Sequence, residues 1–439
     1  VPPVIPAPAP APAPAPRRRP SWAGRDFRVQ TAAAFVSGLG SAAAPVAAAF
    51  AVLGAGGSAG DVGWVTAARL LPAVVFVLLG GALADRLPRH RVMVAANVGS
   101  AAAQAAFAVL VLTGHPQLWQ MLALSAAAGT AQAFYMPAAQ GVVLAAVDPA
   151  DAGRAFAFYR LALNAAQIGG TALGGVLVAA VGPGWVLAAD AAGFALAAGL
   201  RTLLRVPPPA RAREASANLA RELLEGWQEF ASRRWLWAVV LQFAVVMACV
   251  LATESVYGPV VAAQRLGGAR PWGLALAAQG VGMVAGGLLM LRWRPRRILL
   301  AGNWGVLAFA LPAAALAASA PVPVLAGAML LSGVGTEVFG VNWMVALQQE
   351  IPAERMARVS AYDWLGSLVL SPVGTAVAGP VAVWTGLTGA LWAAAGVTAA
   401  LALLAVAVPE VRQLRRAQPG VVRAGHPGGV PEPAAVTPG

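Results

Sequence analysis

Lysine is missing from this chain of 439 residues: all 30 basic side chains are arginine. A Walker-type phosphate loop needs its Lys on the phosphates, so by itself the chain is no ATPase subunit of that class, and Schiff-base chemistry is excluded with it. A single cysteine, Cys249, excludes an internal disulfide and any cysteine-cluster metal site. His90, His115 and His426 lie too far apart to give metal-ligand spacing. Charge of either sign is also scarce. Only 11% of the residues are charged, against about 25% in a typical soluble domain. With 59% hydrophobic residues and a mean hydropathy of +0.71, a soluble fold of this length could not cover its surface with polar groups. A lipid surround removes that requirement. No nucleophile–base arrangement is evident, so the reading is of a non-enzyme that carries neither metal nor cofactor.

The net charge of +13 would suggest nucleic-acid binding in a soluble protein. Here the arginines sit between apolar runs, and no nucleic-acid motif accompanies them. They read as topology signals and contacts to anionic lipid. The partner these arginines lead us to expect is membrane lipid, with no nucleic acid.

What the chain has is a series of apolar runs, each long enough to cross about 30 Å of hydrocarbon. They fall at 29–53, 62–84, 92–113, 118–146, 156–181, 185–204, 236–263, 272–291, 298–319, 322–348, 359–382 and 386–408. The fold class this predicts is all-α and integral to the membrane, with about twelve transmembrane helices in two pseudo-symmetric six-helix bundles. Residues 1–24, with their Ala-Pro alternation, and 409–439 read as disordered tails. The bundles span 25–206 and 236–408. Between them, 207–235 reads as a cytoplasmic linker with an amphipathic helix, because Leu219, Leu223, Leu224, Trp227 and Phe230 recur at helical spacing opposite Arg221, Glu222, Glu225 and Glu229. Trp22, Trp64, Trp119, Trp185, Trp235, Trp272, Trp293 and Trp384 lie near predicted ends, where the interface suits them. With the N-terminus inside, cytoplasmic segments hold 26 of the 30 arginines when Arg201 at the cytoplasmic end of its span is counted with them, spans hold Arg69 and Arg160, and only Arg265 and Arg270 lie outside. The positive-inside rule thus puts both termini in the cytoplasm of a bacterial cell whose plasma membrane the chain crosses many times.

An internal repeat supports the division into halves. GGALADRLPRHRVMVAANVG (80–99) aligns without a gap on GGLLMLRWRPRRILLAGNWG (286–305), and PADAGRAFAFY (149–159) on PAERMARVSAY (352–362). Parallel six-helix halves with a binding site near mid-bilayer are one of the described transporter architectures.

At these residues the chain resembles a known family. GGALADRLPRHR is similar to the loop between spans 2 and 3 of the major facilitator superfamily, with Gly81, Asp85, Arg86, Arg89 and Arg91 matching and Pro88 in place of the second Gly. The resemblance implies that Asp85 engages the cytoplasmic start of span 11, around Arg358 and Asp363, and steadies a cytoplasmic gate. In the second half Leu291 stands where the first has Asp85. The stretches AFYMPAAQGVVLAAVDPADAGRA, NAAQIGGTALGGVLVAAVGPGW, LLEGWQEFASRRWLW and GVGTEVFGVNWMVALQQEIPAERMARVSAYDWLGS resemble the drug:proton antiporter-3 branch, which holds macrolide-efflux and enterobactin-exporter-like proteins. Thr171 and Met344 replace residues common in those relatives, a Pro on span 5 and an acidic residue after the span-10 Trp.

Charged side chains inside spans are costly and mark candidate sites. Glu337, near the middle of span 10, is the first candidate for proton coupling, since a carboxyl withdrawn from water takes up a proton more readily; a permanent ion pair is the alternative. Glu254 on span 7 and Asp190 on span 6 follow, with an outer-gate hydrogen bond and helix packing as their respective alternatives. Candidate substrate-cavity residues are Arg69, Tyr135, Arg160, Asn164, Asn342 and Trp343; Arg160 is also within snorkelling reach of the interface. Gly-rich GGTALGG (169–175) permits a close helix approach. The leading functional expectation is proton-coupled efflux of amphipathic molecules by alternating access. A nutrient symporter and a non-transporting scaffold are the rivals.

Overall fold

The computed structural model describes residues 24–86, 88–148, 151–204, 227–228 and 230–416, without the side chains at 77–86, 136–137, 140–141, 144–145, 353–355, 357–358, 361, 364 and 368. Residues 1–23 and 417–439 of the expected tails, and most of the linker expected at 207–235, lie outside the described residues; the start of the C-terminal tail, expected as disordered from 409, is instead a short helix, Pro409–Gln413, with Val411 buried against its neighbours. Within them the chain is helical, apart from one isolated bridge between Arg297 and Arg415.

The helices are α1 (Arg25–Gly54), α2 (Ala59–Arg86), α3 (Arg89–Leu112), α4 (Leu118–Ala145), α5 (Ala152–Val181) and α6 (Pro183–Thr202). They continue with α7 (Arg234–Leu266), α8 (Ala269–Arg292), α9 (Ile298–Ala317), α10 (Val322–Glu350), α11 (Ala353–Leu368) and α12 (Ser371–Ala407). Local chemistry sets their ends. Ser58 and Asp61 form a capping box at the start of α2: the Ser58 backbone N–H donates to Asp61 Oδ2 at 2.8 Å, and the Asp61 N–H donates to Ser58 Oγ at 3.3 Å. Gly182, at φ 88°, turns the chain between α5 and α6, and Pro183 opens α6 with its φ already suited to a helix.

Ten described helices are long and apolar enough to cross a membrane, where the sequence reading expects about twelve. Two features separate the counts. The stretch Leu365–Ala407 counts once among the ten, but Gly386 inside α12 has φ 73° and ψ 158°, and the sequence reading divides the stretch there into two spans. The second is α4, a helix of 28 residues that the sequence reading counts as span 4 and that is not among the ten.

The chain packs as two compact units. One comprises α1–α6 with the short stretches 258–277 and 375–379; the other holds the rest of the described chain from residue 227. In the first unit, α1 packs on α5 and α6, α3 on α4 and α6, and α2 on α4. Small residues make these approaches close. Gly129 on α4 lies against the backbone carbonyl of Arg69 on α2, and Gly170 and Gly174 on α5 lie against Leu39 and Ala43 of α1. Gly175 faces Gly273, and Gly60 faces Gly379, backbone to backbone. The run 169–175 thus serves as the surface of close approach expected from its glycines. In the second unit the same device recurs: Gly333 on α10 meets the carbonyl of Gln279 on α8, and Gly282 meets that of Leu330.

Two of the tryptophans expected at interfaces are buried instead. Trp272 is fully enclosed against Gly258, and Trp235 stands edge-on to Trp343 with 5.7 Å between ring centroids. Both sit close to helix ends, but on the helix face that packs inward, and proximity to an end says nothing about face. Trp64, Trp119, Trp185, Trp293 and Trp384 are exposed.

Buried polar residues tie helices together. Asn303 on α9 accepts a hydrogen bond from Gln242 Nε2 on α7 at 2.8 Å and donates to the Ala402 carbonyl on α12. Replacing it by Leu strands Gln242 in the interior, where an unsatisfied polar group costs about 1–3 kcal/mol. Asn303→Leu is therefore expected to lower thermal stability by that amount in a detergent-solubilised melt, with Asn303→Gln less severe. Its repeat counterpart Asn97 is buried on α3 in the first unit.

Candidate functional site

In the first unit, α5 presents a polar stripe. Arg160, Asn164, Gln167 and Thr171 fall at helical spacing on one face; the first three are exposed and Thr171 is half-buried. The Thr171 hydroxyl donates to the Gln167 carbonyl at 2.9 Å, which satisfies it within the helix. A charge and two amides laid along a membrane-spanning helix are costly against lipid.

The other first-unit candidates are held inside. Asp190 on α6 is fully buried, accepts from Gln104 Nε2 on α3, and fills the space left by Gly40 on α1. Half-buried Arg69 on α2 is near enough for its charge to act on Asp190. Tyr135 on α4 is buried under Arg201, whose guanidinium lies 4.7 Å from the ring centroid and donates from Nη2 to the Tyr135 hydroxyl at 2.6 Å. Arg201 Nε donates to Gln30 Oε1 at 3.2 Å, and Gln30 Nε2 donates to the Tyr159 hydroxyl at 3.5 Å. Arg201 has no solvent exposure, and no carboxylate pairs with it among the described residues. The sequence reading left it at the end of the sixth span and counted it with the cytoplasmic arginines. Helical periodicity carries the missed signal, since Asp190, Phe194, Ala197 and Arg201 repeat at the spacing of one face, and all four are buried.

Gly81, Asp85 and Arg86 fall on the last turns of α2, but their side chains lie outside the described residues, as does that of Arg358. Arg89 opens α3 behind Pro88 and is half-buried, while Arg91 is exposed. The backbone of the motif thus falls on the end of α2 and the start of α3.

In the second unit, Glu254 lies in a π-helical stretch of α7, Thr253–Tyr257, and accepts from Gln279 Nε2 on α8 at 2.6 Å. No cation pairs with it among the described residues. Single π turns are frequent at functional sites, because the extra residue redirects a side chain. Glu337 on α10 is half-buried, with its Cβ against Gly286 of α8. Asn342 is fully buried and donates to the Val338 carbonyl of its own helix at 2.8 Å, so it packs within the unit.

Trp343 and Asp363 come together. The Trp343 indole N–H donates to Asp363 Oδ2 at 3.0 Å, and both border a cavity of 280 Å³ shared with Val239, Phe243, Phe339 and Ser367. Phe243 stacks on Phe339 at 4.6 Å between centroids, and Phe339 on Trp343 at 6.0 Å. On the other side of the α7–α11 contact, where Val240 rests on Gly366, lies an apolar groove of 760 Å³ bordered by Trp227, Phe230, Trp237 and Tyr362. Sequence reasoning placed Trp343 with the substrate cavity and Asp363 with the cytoplasmic gate. The structure puts them on one wall.

Apolar helices that can cross a bilayer, with carboxyl groups and an arginine-headed polar stripe among them, define a multi-span integral membrane protein of the transporter class. The sequence signature of the Major Facilitator Superfamily matches residues 31–362, and the chain belongs to that family. It is 28% identical to the multidrug efflux pump Tap of Mycolicibacterium fortuitum over 403 residues, covering 87% of this chain and 95% of that protein. It is 25% identical to the MFS-type transporter YfiS of Bacillus subtilis over 338 residues, 72% of this chain and 77% of that one. Among solved structures it is similar in fold to the nucleoside transporter NupG, with TM-score 0.66, 14% identity, and coverage of 87% and 98%. It is likewise similar to a bacterial homologue of the iron transporter ferroportin in an inward-facing state, with TM-score 0.66, 15% identity, and coverage of 87% and 98%. The family and the fold are those of transporters.

Proposed function

We propose that this chain is a proton-coupled exporter of amphipathic small molecules, of the drug:proton antiporter-3 type, working by alternating access as a monomer in the bacterial cytoplasmic membrane. In this reading twelve spans form halves at 25–206 and 236–408, with both termini in the cytoplasm. Similarity to the efflux pump Tap along 95% of that protein supports export. Glu254 carries the coupling: it is a carboxyl in a span whose partner among the described residues is a neutral amide, so it can hold or release a proton without breaking an ion pair. Glu337 is the second coupling candidate and Asp190 the third, the latter tied down by Gln104. The apolar, aromatic-walled cavity with few polar anchors suits amphipathic ligands.

The deciding experiment uses proteoliposomes with an imposed pH gradient and a panel of amphipathic dyes, antibiotics and siderophores. Substrate-dependent proton movement with export against inward-directed protons is expected. Uptake driven by inward protons would make the chain an importer, and no gradient-linked flux of any compound would leave a scaffold.

The α5 stripe gives a sharper expectation. Asn164→Leu with Gln167→Leu should lower flux about tenfold, while the melting temperature stays near wild type, because exposed substitutions shift stability by roughly 0.5 kcal/mol or less. Unchanged flux in the folded double variant would remove this face from the transport path.

A further inference from the structure

Beyond the last span the chain folds back onto the second unit. The short helix Pro409–Gln413 buries Val411 with Ile298 and Leu299 of α9 and Phe339 of α10, and the residues after it pair with the segment between α8 and α9. The Ile298 N–H donates to the Leu414 carbonyl at 3.2 Å, the Arg416 N–H donates to the Arg296 carbonyl at 2.9 Å, and Gln349 Nε2 of α10 donates to the Arg415 carbonyl at 3.2 Å. The two backbone bonds bracket Arg297 and Arg415. In an antiparallel pair that pattern defines a non-hydrogen-bonded pair, with Cα atoms about 4.5 Å apart and both side chains on one face. The fold thus sets two arginines directly opposite each other, which is destabilising for like charges. Both are exposed, and no carboxylate pairs with either among the described residues. Their surroundings add to the charge: Arg292, Arg294, Arg296, Arg412 and Arg416 lie in the same two segments, and Glu410 is the only carboxylate in 291–298 and 409–416.

We propose that Arg297 and Arg415 clamp the phosphate of an anionic phospholipid headgroup, and that this lipid locks the segment 409–416 onto the second unit. A phosphate between two guanidinium groups turns the repulsion across the bridge into charge-assisted hydrogen bonds, which arginine makes in pairs to phosphate oxygens. The place of the clamp selects a lipid over a dissolved phosphate. Arg292 ends α8 and Ile298 opens α9, both long and apolar enough to cross a membrane, so the bridge lies at the level of the headgroups. Exposed Leu291 and Trp293 lie beside it and bring the apolar and indole surface that suits the interface. Val411 is the one fully buried side chain in 409–416, so local opening of the segment responds to the charge at the bridge. The site uses no residue assigned to coupling or to the substrate path and does not depend on the direction of transport.

The test is amide hydrogen exchange at Ile298 and Arg416, the two bridge donors, in the purified full chain. The chain is held in nanodiscs of phosphatidylcholine alone, or of phosphatidylcholine mixed with phosphatidylglycerol of the same acyl chains. Exchange about fivefold slower with phosphatidylglycerol is expected, the scale of one arginine's attraction to anionic lipid. Arg415→Gln removes the repulsion and the clamp together. Its bridge should therefore be better protected than wild type in phosphatidylcholine, and phosphatidylglycerol should add almost nothing, a signature that a purely packing role does not produce. Arg294→Gln with Arg412→Gln removes two charges from the same segments outside the clamp and should keep the lipid response. Equal exchange of the wild type in the two lipids, or a full lipid response in Arg415→Gln, would overturn the proposal. Loss of the response in the Arg294→Gln, Arg412→Gln variant would replace the clamp by a diffuse charge effect and overturn it too. Equal protection by millimolar pyrophosphate in phosphatidylcholine would make the ligand a dissolved phosphate and overturn the lipid assignment. If Arg415→Gln does not fold, as judged by size-exclusion profile, Arg297→Gln on the other side of the bridge carries the same expectation.

Discussion

Glu254→Gln is expected to cut gradient-driven transport by about a hundredfold or more, the scale on which losing a positioned proton carrier acts, while substrate exchange at equilibrium continues. The substitution is close to isosteric. The carbonyl of the new amide can still accept the Gln279 Nε2 hydrogen bond, now 2.6 Å to Oε1, so the α7–α8 contact and the π turn at Thr253–Tyr257 should survive. Only the capacity to bind and release a proton is removed. That separates a coupling role from a packing role: a packing role predicts near-normal flux in the folded variant, a coupling role predicts a protein that folds, binds and exchanges but does not concentrate. The measurement pairs pH-driven flux with counterflow in the same proteoliposomes. Glu337→Gln serves as the comparison. Glu337 already has a partner of its own within the fold and lies against Gly286, so a smaller loss is expected there. If Glu254→Gln retains pH-driven flux and Glu337→Gln loses it, the coupling role moves to α10.

Much of the helical layout was legible in the sequence because lipid imposes a simple rule. Apolar runs of bilayer length must be helices, and the predicted boundaries fall within a few residues of α1 to α10, whereas the span expected at 359–382 is divided between α11 and the start of α12. The glycine run at 169–175 was legible for the same reason, since close approach needs small residues wherever it occurs. Hydropathy carries less information about which face of a helix looks where. Trp235 and Trp272 sit near ends yet turn inward, and Arg201 sits near an end yet has no exposure. Periodicity could have found Arg201, because Asp190 lies on the same stripe. Neither the π turn that presents Glu254 nor the pairing of Trp343 with Asp363, 20 positions apart on separate helices, leaves a local sequence signal; both depend on tertiary packing. The candidate polar residues accordingly fell into groups that the sequence did not foresee. Arg160 and Asn164 share an open face with Gln167, Tyr135 is closed in with Arg201, and Asn342 is turned into its own helix.

Gly129→Val and Gly333→Val should each remove most of the folded protein. At both positions a Cβ would meet a backbone carbonyl oxygen, of Arg69 across α2–α4 in one unit and of Gln279 across α8–α10 in the other. A flexible side chain could swing away from an added methyl group, but a carbonyl built into a helix cannot, so the two helices must separate along their length. Overpacking a well-filled core typically costs about 1–3 kcal/mol, and here the strain falls at a contact that admits no local relief. Replacing Gly in a helix also brings a gain, because Gly is about 0.8–1.0 kcal/mol less favourable than Ala, and Val lies between. That gain is smaller than the steric cost, so the sign is destabilising. Gly199 and Gly287 supply the control: both are helical and nothing lies near a Cβ built on either, so Gly199→Val and Gly287→Val keep the propensity gain without the clash. The expected pattern in detergent is a lost or strongly lowered thermal transition for the first pair and wild-type or slightly raised melting for the second. Because Gly129 and Gly333 lie in different units, their effects should add in any fraction that folds. Equal melting of all four variants would mean that the α2–α4 and α8–α10 approaches are looser than their glycines indicate.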